Sequence, residues 1–311
     1  MHIDNQISEQ IPILRGVRQG DPISPKLFTA TIQEVFKEAN LETKGIRIDG
    51  ETLSDLRFAD DVALLTKSTQ DMEHQLNSVN KESLKVGLKI HRGKTKFMTN
   101  MKTTNTIQIE GTEIEKVDDY KYLGQTIAME NKTNHEVLIR IKAGWGVFSM
   151  YKEIFLDKQL PISLKRKVYD QCILPTVTYG CQTWSLTREI LNKLEVSQRA
   201  MERKMLNIKL KDKIRNTVIR QRTQIKDVTE KITKTKWSWA GHIARMTDNR
   251  WTIRSTEWRV REGQRRQGRP KRRWRDDLVW QQGVIWSRKA KDRERWKTLA
   301  EGYLLQWKDT A

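Results

Sequence analysis

The chain has 311 residues, room for about two domains, and 37% of them are hydrophobic, which excludes a wholly disordered chain. No run approaches the roughly 18 apolar residues of a membrane span, and residues 1–10 lack the basic-then-apolar order of a secretory signal, so neither a membrane protein nor a secreted one is expected. Cys172 and Cys181 are the only cysteines, which excludes a disulfide scaffold and a four-cysteine zinc site and points to a reducing intracellular compartment.

Residues 3–14 read as extended. Residues 15–25 hold two Gly, two Pro, an Asp and a Ser, and predict a loop. Ser24 is the expected cap of a helix with Pro25 in its first turn, and Phe28, Ile32, Val35, Phe36 and Ala39 recur at helical spacing. Two short strands, 53–58 and 62–66, are expected around Ala59-Asp60-Asp61. Ser68 with Asp71 predicts the start of a second helix, with Met72, Leu76, Val79 and Val86 on its inner face and Gly87 as its left-handed stop. Further strands are expected near 96–99, 107–109 and 120–124, and from about Asn134 the pattern becomes mainly helical. This order predicts an α+β fold: antiparallel strands backed by two helices, then a separate helical body.

The net charge of +20 is unevenly placed. Residues 1–160 carry 22 Lys and Arg against 23 Asp and Glu; residues 161–311 carry 37 against 16. Nine of the eleven tryptophans lie from Trp237 onward. A near-neutral half followed by a basic, aromatic half predicts a compact domain followed by a polyanion-binding region. Residues 259–275 hold nine Lys and Arg in seventeen, with Gly263, Gly268 and Pro270, and predict an extended linker.

Asp60 and Asp61 carry the strongest chemical signal. Adjacent carboxylates at a tight strand turn can approach one cation, and Mg²⁺ takes hard oxygens, typically one or two carboxylates plus substrate phosphates. An ordinary acidic turn is the competing reading, since Asp118-Asp119 and Asp276-Asp277 are further pairs; the last suits the first turn of a helix.

The context of the pair resembles a known family. Arg15-Gly16-Val17-Arg18-Gln19-Gly20-Asp21-Pro22-Ile23-Ser24-Pro25, followed by Phe58-Ala59-Asp60-Asp61, resembles the reverse transcriptases of non-LTR (LINE-type) retrotransposons. Gly87-Leu88-Lys89-Ile90 with Lys94-Thr95-Lys96 is similar to the next polymerase motif, and Tyr120-Lys121-Tyr122-Leu123-Gly124 to the primer-grip hairpin. Ile173-Leu174-Pro175, Tyr179-Gly180 and Trp184 resemble the segment after the thumb. Residues 239–245 and 268–274 resemble the tail of such reading frames.

The resemblance implies an RNA-directed DNA polymerase that adds deoxynucleotides to a primer 3′ end with two Mg²⁺ ions. Its partners would be an RNA template, a DNA primer or target DNA, and deoxynucleoside triphosphates. It implies a partial palm with primer grip over residues 1–125, a helical thumb over 126–235 and a basic, Trp-rich nucleic-acid-binding region over 236–311. Asp60 and Asp61 would be catalytic and hold metal. Lys94 would serve the departing pyrophosphate, with Lys89 and Lys96 as alternatives. Arg18, Gln19, Gly20, Phe58 and Ala59 would meet nucleotide or template, and Tyr122, Leu123 and Gly124 the primer strand. Arg265, Arg266, Arg269, Lys271, Arg272, Arg273 and Arg275 would hold nucleic acid, or serve as a nuclear-import run, and the expected location is intracellular and nuclear.

His91 and Gly93 depart from the family pattern. So does the N-terminus: the family's first catalytic Asp motif lies well upstream of the Arg15 loop, and Asp4 lacks its apolar-strand context. The fingers and that motif are therefore expected to be absent, Mg²⁺ binding weakened and the chain inactive or nearly so alone. The alternative is a non-catalytic nucleic-acid-binding remnant that works through its basic half. Trp237, Trp239, Trp251, Trp258 and Trp274 fit a small core better than base stacking, His242 has no cysteine near it, and both cysteines read as buried thiols.

Overall fold

The computed structural model describes residues 2–3, 6–7, 16–41, 44–101, 106–129, 133–248, 250–258 and 272–308. The chain divides into two compact units, Met1–Leu123 and Gly124–Ala311.

The first unit is α+β. Strands β1 (His2–Ile3) and β2 (Gln6–Ile7) form an antiparallel pair. Helix α1 (Ser24–Ala39) follows, then hairpins β3 (Ile46–Ile48) with β4 (Glu51–Leu53) and β5 (Asp55–Phe58) with β6 (Asp61–Leu64). Helix α2 (Thr69–Lys85) precedes β7 (Lys96–Phe97), β8 (Ile107–Ile109), β9 (Thr112–Lys116) and β10 (Asp119–Tyr122). Instead of one antiparallel sheet, the described strands form several small ones. In the three-stranded sheet, of order β7-β9-β8, β7 runs parallel to β9.

Ser68 caps α2 as expected: its Oγ accepts the Asp71 N–H at 3.1 Å. At the other end the Leu88 N–H donates to the Ser83 carbonyl at 2.9 Å around Gly87 (φ 77°), which closes the helix in a left-handed stop. Leu76 and Val79 are buried, but Val86 lies past the last helical residue and is exposed. Ser24 is not the cap of α1. It is the first helical residue, and its hydroxyl donates to the Arg18 carbonyl while Asp21 Oδ1 accepts the Ile23 N–H at 2.8 Å; the loop's own Asp starts the helix.

Two apolar clusters hold α1 and α2 against the strands. One joins Val35, Phe36, Leu41 and Val79, with Val62 and Leu64 packed on it. The other joins Leu76, Phe97, Ile107, Ile109 and Ile114. The polar side of α2 also serves the sheet. Asn77 Nδ2 donates to the Gln108 carbonyl at 2.8 Å and Glu73 Oε1 accepts the Gln108 N–H at 3.1 Å, so the free edge of β8 is satisfied by helix side chains.

The second unit opens with β11 (Gln125–Ala128) and is otherwise helical: α3 (Thr133–Met150), α4 (Lys152–Leu156), α5 (Ile162–Val168), a π-helical turn (Tyr169–Ile173), α6 (Leu174–Val177), a 3-10 turn (Cys181–Thr183), α7 (Arg188–Met205), a second 3-10 turn (Leu210–Asp212), α8 (Asn216–Thr223), α9 (Val228–Arg245), α10 (Trp251–Glu257), α11 (Asp276–Gln282), α12 (Trp286–Lys291), α13 (Arg293–Thr298) and α14 (Ala300–Lys308). A large core gathers residues such as Phe148, Tyr169, Ile173, Trp184, Leu194 and Ile232. A smaller one is built from Trp237, Trp286, Trp296, Leu278 and Tyr303, with Trp274 packed on it. Of the five tryptophans expected in a small core, Trp237 is buried in it and Trp274 packs on it; Trp239, Trp251 and Trp258 are half-buried and not among its members, and Trp286 and Trp296 supply the rest. Cys181 is buried, and burial raises its thiol pKa to about 11; Cys172 is only half-buried, contrary to expectation. Among the described residues no helix is long and apolar enough to cross a membrane.

Candidate functional site

The Asp60-Asp61 turn is built by the β5–β6 hairpin. Its register pairs Phe58 with Asp61, Arg57 with Val62 and Leu56 with Ala63, so the loop is Ala59-Asp60 alone. Ala59, at the first loop position, has φ 53°, the left-handed geometry that two-residue hairpins use and that L-residues adopt at a cost of about 1–2 kcal/mol. Backbone strain of this kind clusters at functional sites.

Strand alternation then assigns the faces. Val62 and Leu64 turn inward onto the helices, and the Arg57 guanidinium lies 4.8 Å over the Phe36 ring and donates to Gln33 of α1 at 3.0 Å. Phe58 and Asp61 must therefore face the other way, and both are exposed, Phe58 by 64%. The carboxylates of Asp60 and Asp61 make no hydrogen bond or ion pair among the described residues.

Strand β10 ties neighbouring pieces to this hairpin. The Tyr122 hydroxyl reaches the Asp61 carbonyl at 3.5 Å, and burial, reinforced by the Asp61 charge, raises the Tyr122 pKa. Two residues earlier, the Tyr120 hydroxyl donates to the Lys94 carbonyl at 3.3 Å. The Asp60-Asp61 hairpin and the Lys94 turn are thus fastened to one strand.

Lys94 is exposed. Its N–H donates to His91, to the carbonyl at 3.0 Å and to Nδ1 at 3.2 Å, so the family-departing His91 shapes the turn that presents it. Of the alternatives, Lys96 is paired with Glu115 and Lys89 is exposed. Arg18, Gln19 and Gly20 sit in the exposed loop before α1; Gly20 has φ 89° with open space around it, so the backbone angle is what requires glycine there.

Leu123 (φ 47°) ends the first unit and is partly exposed; Gly124 (φ 75°) begins the second. In the second unit Arg140 Nη2 donates to the Gly124 carbonyl and its Nε to Glu136 Oε1 at 2.6 Å, Glu136 Oε2 accepts the Thr126 N–H at 3.0 Å, and the guanidinium lies 4.7 Å over the Tyr179 ring. Sequence reading missed this anchor, because Glu136 and Arg140 look like an ordinary i,i+4 surface pair. A Cβ on Gly124 would sit 3.1 Å from the Tyr179 ring. Gly124→Ala is expected to cost about 2 kcal/mol, read as a lower midpoint of denaturation. Gly111→Ala, with φ 74° and open space, should cost only the roughly 1 kcal/mol of the backbone angle.

The motif segment at 173–184 is packing. Ile173, Leu174 and Trp184 are buried in the large core. In the motif at 239–245, Ala240 and Gly241 give Trp296 its seat: a Cβ on Gly241 would lie 2.6 Å from Trp296 Cδ1. Of the tail cations, Arg265, Arg266, Arg269 and Lys271 lie outside the described residues. Arg272 is 5.2 Å over the Trp307 ring, the Arg273 N–H donates to Asp276 at 2.6 Å, and Arg275 donates to the Thr256 carbonyl at 3.0 Å.

The donor chemistry at residues 60–61 suits magnesium, which prefers hard carboxylate oxygens. The set is short, however: among the described residues no group of three His, Cys, Asp or Glu comes together to hold a metal.

Comparison with known proteins supplies the family. Residues 1–127 match the model of the family described as reverse transcriptase (RNA-dependent DNA polymerase). An uncharacterized transposon-derived protein of Caenorhabditis elegans is 31% identical over 272 residues, 81% of this chain and 96% of that protein. The RNA-directed DNA polymerase from mobile element jockey of Drosophila funebris is 28% identical over 211 residues, 61% of this chain and 22% of that protein. The retrovirus-related Pol polyprotein from type-1 retrotransposable element R2 of Popillia japonica is 23% identical over 220 residues, 66% of this chain and 35% of that protein. The chain therefore spans nearly all of the worm protein and between a fifth and about a third of the jockey and R2 proteins. With the glycine loop, the exposed aspartate hairpin and the strand behind it, these relationships show that the chain belongs to the reverse transcriptases of non-LTR retrotransposons.

Proposed function

We propose that residues 16–123 are part of a polymerase palm that acts on an RNA template and a DNA primer, and that the helical second unit supplies thumb and nucleic-acid-binding surfaces. The observation that carries this reading is the β5–β6 hairpin, with its apolar face on α1 and α2 and Asp61 on the opposite, exposed face. Asp60 and Asp61 would hold magnesium there. Bound magnesium supplies the positive charge that stabilises the attacking and leaving oxygens of a phosphoryl transfer.

The chain's own residues do the positioning. Tyr122 steadies the Asp61 backbone, and Leu123 and Gly124 turn the strand that would bear on the primer. Phe58 and Ala59 flank the carboxylates, where a base or sugar of the incoming deoxynucleoside triphosphate would lie. The Lys94 ammonium would neutralise or protonate departing pyrophosphate. Arg18 and Gln19 offer donors to phosphate or base edges beside Gly20. The described tail cations, and those at 265–271, would neutralise phosphates, as the +21 balance of residues 161–311 supports.

Among the described residues Asp60 and Asp61 have no third carboxylate beside them; such a pair would hold metal weakly and support slow polymerisation or none, and a carboxylate on a further strand would complete it. Primer extension on an RNA template with Mg²⁺ tests this. Expected is little or no product from this chain, product from a longer chain carrying an upstream Asp-bearing strand, and a loss of about 100-fold or more in that longer chain with Asp60→Asn. Equal extension by both chains would refute the incomplete site, and an active longer chain indifferent to Asp60→Asn would refute the assignment of the hairpin. An inactive longer chain that still binds template–primer would favour the non-catalytic reading, in which the basic half does the work.

A further inference from the structure

Residues 203–226, from the last turn of α7 to just before α9, hold nine Lys and Arg and a single carboxylate, Asp212. The chain leaves α7 through Asn207 (φ 55°), makes the 3-10 turn Leu210–Asp212, reverses at Lys213 (φ 51°) and enters α8. Asp212 lowers the charge of the segment by one but, among the described residues, makes no ion pair with these cations. Its Oδ2 accepts the Lys209 backbone N–H at 2.8 Å, while its own N–H donates back to the Lys209 carbonyl at 3.1 Å. The lone acid closes the loop on itself.

Arg203 and Arg220 are engaged, the first by the Asn216 amide oxygen and the second by Asp227 at 2.9 Å. Lys209, Lys211, Lys213, Arg215 and Arg222 are exposed, and among the described residues no carboxylate lies within ion-pair distance of them. Leu210, between the first two lysines, is 79% exposed.

The platform beneath is firm. Ile219 is fully buried, the Thr223 hydroxyl donates to Glu202 Oε2 at 3.1 Å, and Arg166 of α5 donates to Gln224 at 2.9 Å. Like charges gathered on a fixed loop repel one another, and a polyanion relieves that repulsion by displacing condensed counterions.

We propose that residues 209–222 form a phosphate-gripping loop that takes the backbone of a nucleic-acid duplex, with Leu210 set against its sugars. The cations flank an apolar side chain, and a sugar–phosphate backbone presents both kinds of surface in the same alternation. The identity of the polyanion rests on the polymerase reading; the site itself rests on the loop. It lies apart in sequence from the tail at 259–275.

Fluorescence anisotropy of the full chain with a labelled RNA–DNA hybrid and with duplex DNA of the same sequence, over a range of salt, tests the loop. The variant Lys209→Gln/Lys211→Gln/Lys213→Gln is expected to bind both about tenfold or more weakly at low salt, with a log–log salt slope shallower by about 2 to 3. Its thermal unfolding should match the parent. Lys37→Gln/Lys234→Gln/Lys297→Gln removes the same charge from lysines already paired with glutamates and should keep the parental slope within about one unit.

Parental binding by the loop variant, or an equal loss in the control, would overturn the proposal. So would displacement by polyglutamate as effective as by unlabelled duplex, which would mark the loop as a surface for acidic proteins. Retention of the loop-dependent binding in Asp60→Asn would separate a failure of this site from a failure of the polymerase reading.

Discussion

Lys236→Met is expected to destabilise the second unit by about 3–5 kcal/mol, enough to lower its thermal midpoint by about 10 °C. Lys236 is 0% exposed and its partner Asp277 1%. The ammonium donates to Asp277 Oδ2 at 2.8 Å and to the Trp184 carbonyl at 3.0 Å, and lies 5.3 Å over the Trp274 ring; the Tyr303 hydroxyl donates to the same carboxylate oxygen at 2.8 Å. Burial lowers the Lys236 pKa, and Asp277 opposes that shift; burial also drives the Tyr303 pKa well up. Met would leave the Asp277 charge in an apolar surround with a phenol and one N–H for company. Removing both charges separates the cost of an orphaned ion from the value of the pair: Lys236→Met/Asp277→Leu should recover most of the loss, because buried pairs replaced by apolar groups are often close to neutral. A double variant as unstable as the single one would show instead that the pair itself, with its bond to the Trp184 carbonyl, holds the two cores together.

The second large effect is expected at Gly241. Trp237 and Trp296 stack with ring centroids 3.7 Å apart and planes 2° from parallel, and each indole N–H donates to the other's backbone carbonyl at 2.9 Å. The new methyl of Gly241→Ala would meet Trp296 Cδ1 and Nε1 at 2.6 Å, and the indole cannot retreat without breaking that reciprocal pair. Overpacking of this kind costs about 1–3 kcal/mol, against a helix-propensity gain of about 1 kcal/mol, and because the indole is held on both sides the net loss should approach the upper limit of about 2 kcal/mol. Gly146, inside α3 with open space around it, supplies the contrast: Gly146→Ala should stabilise by about 0.5–1 kcal/mol. Chemical denaturation of both variants tests the opposed signs, and a stabilised Gly241→Ala would show that Trp296 can move.

Local signals carried much of the first unit. The Ala59-Asp60 turn stands out because it interrupts two apolar runs, and Ser68-Asp71 because a helix start needs an acceptor for its free N–H groups. The hairpin at Asp49-Gly50 was equally readable, since that dipeptide favours the two positive φ angles of a tight turn between Ile48 and Glu51, yet polar neighbours disguised its short strands. Other features depend on distance rather than pattern. Glu73 and Asn77 look like a solvated helix face until β8 is placed beside them. Lys236, in Lys234-Thr235-Lys236-Trp237, has the look of one more surface cation, and its partner lies 41 positions along the chain. The 209–222 loop escaped notice because its lysines are interleaved with Leu210 and Asp212, while the arginine run at 259–275 drew the reading of charge to the C-terminus.

Helix α9 belongs to two cores at once. Ile232 lies in the larger and Trp237 and Ala240 in the smaller, a turn and a half farther along one unbroken rod. Its central amides can open to solvent only when both cores loosen together, so they should be among the last in the chain to exchange hydrogen for deuterium. A protease cut in this rod would not release a neat appendage; each fragment would carry away half of the other's foundation.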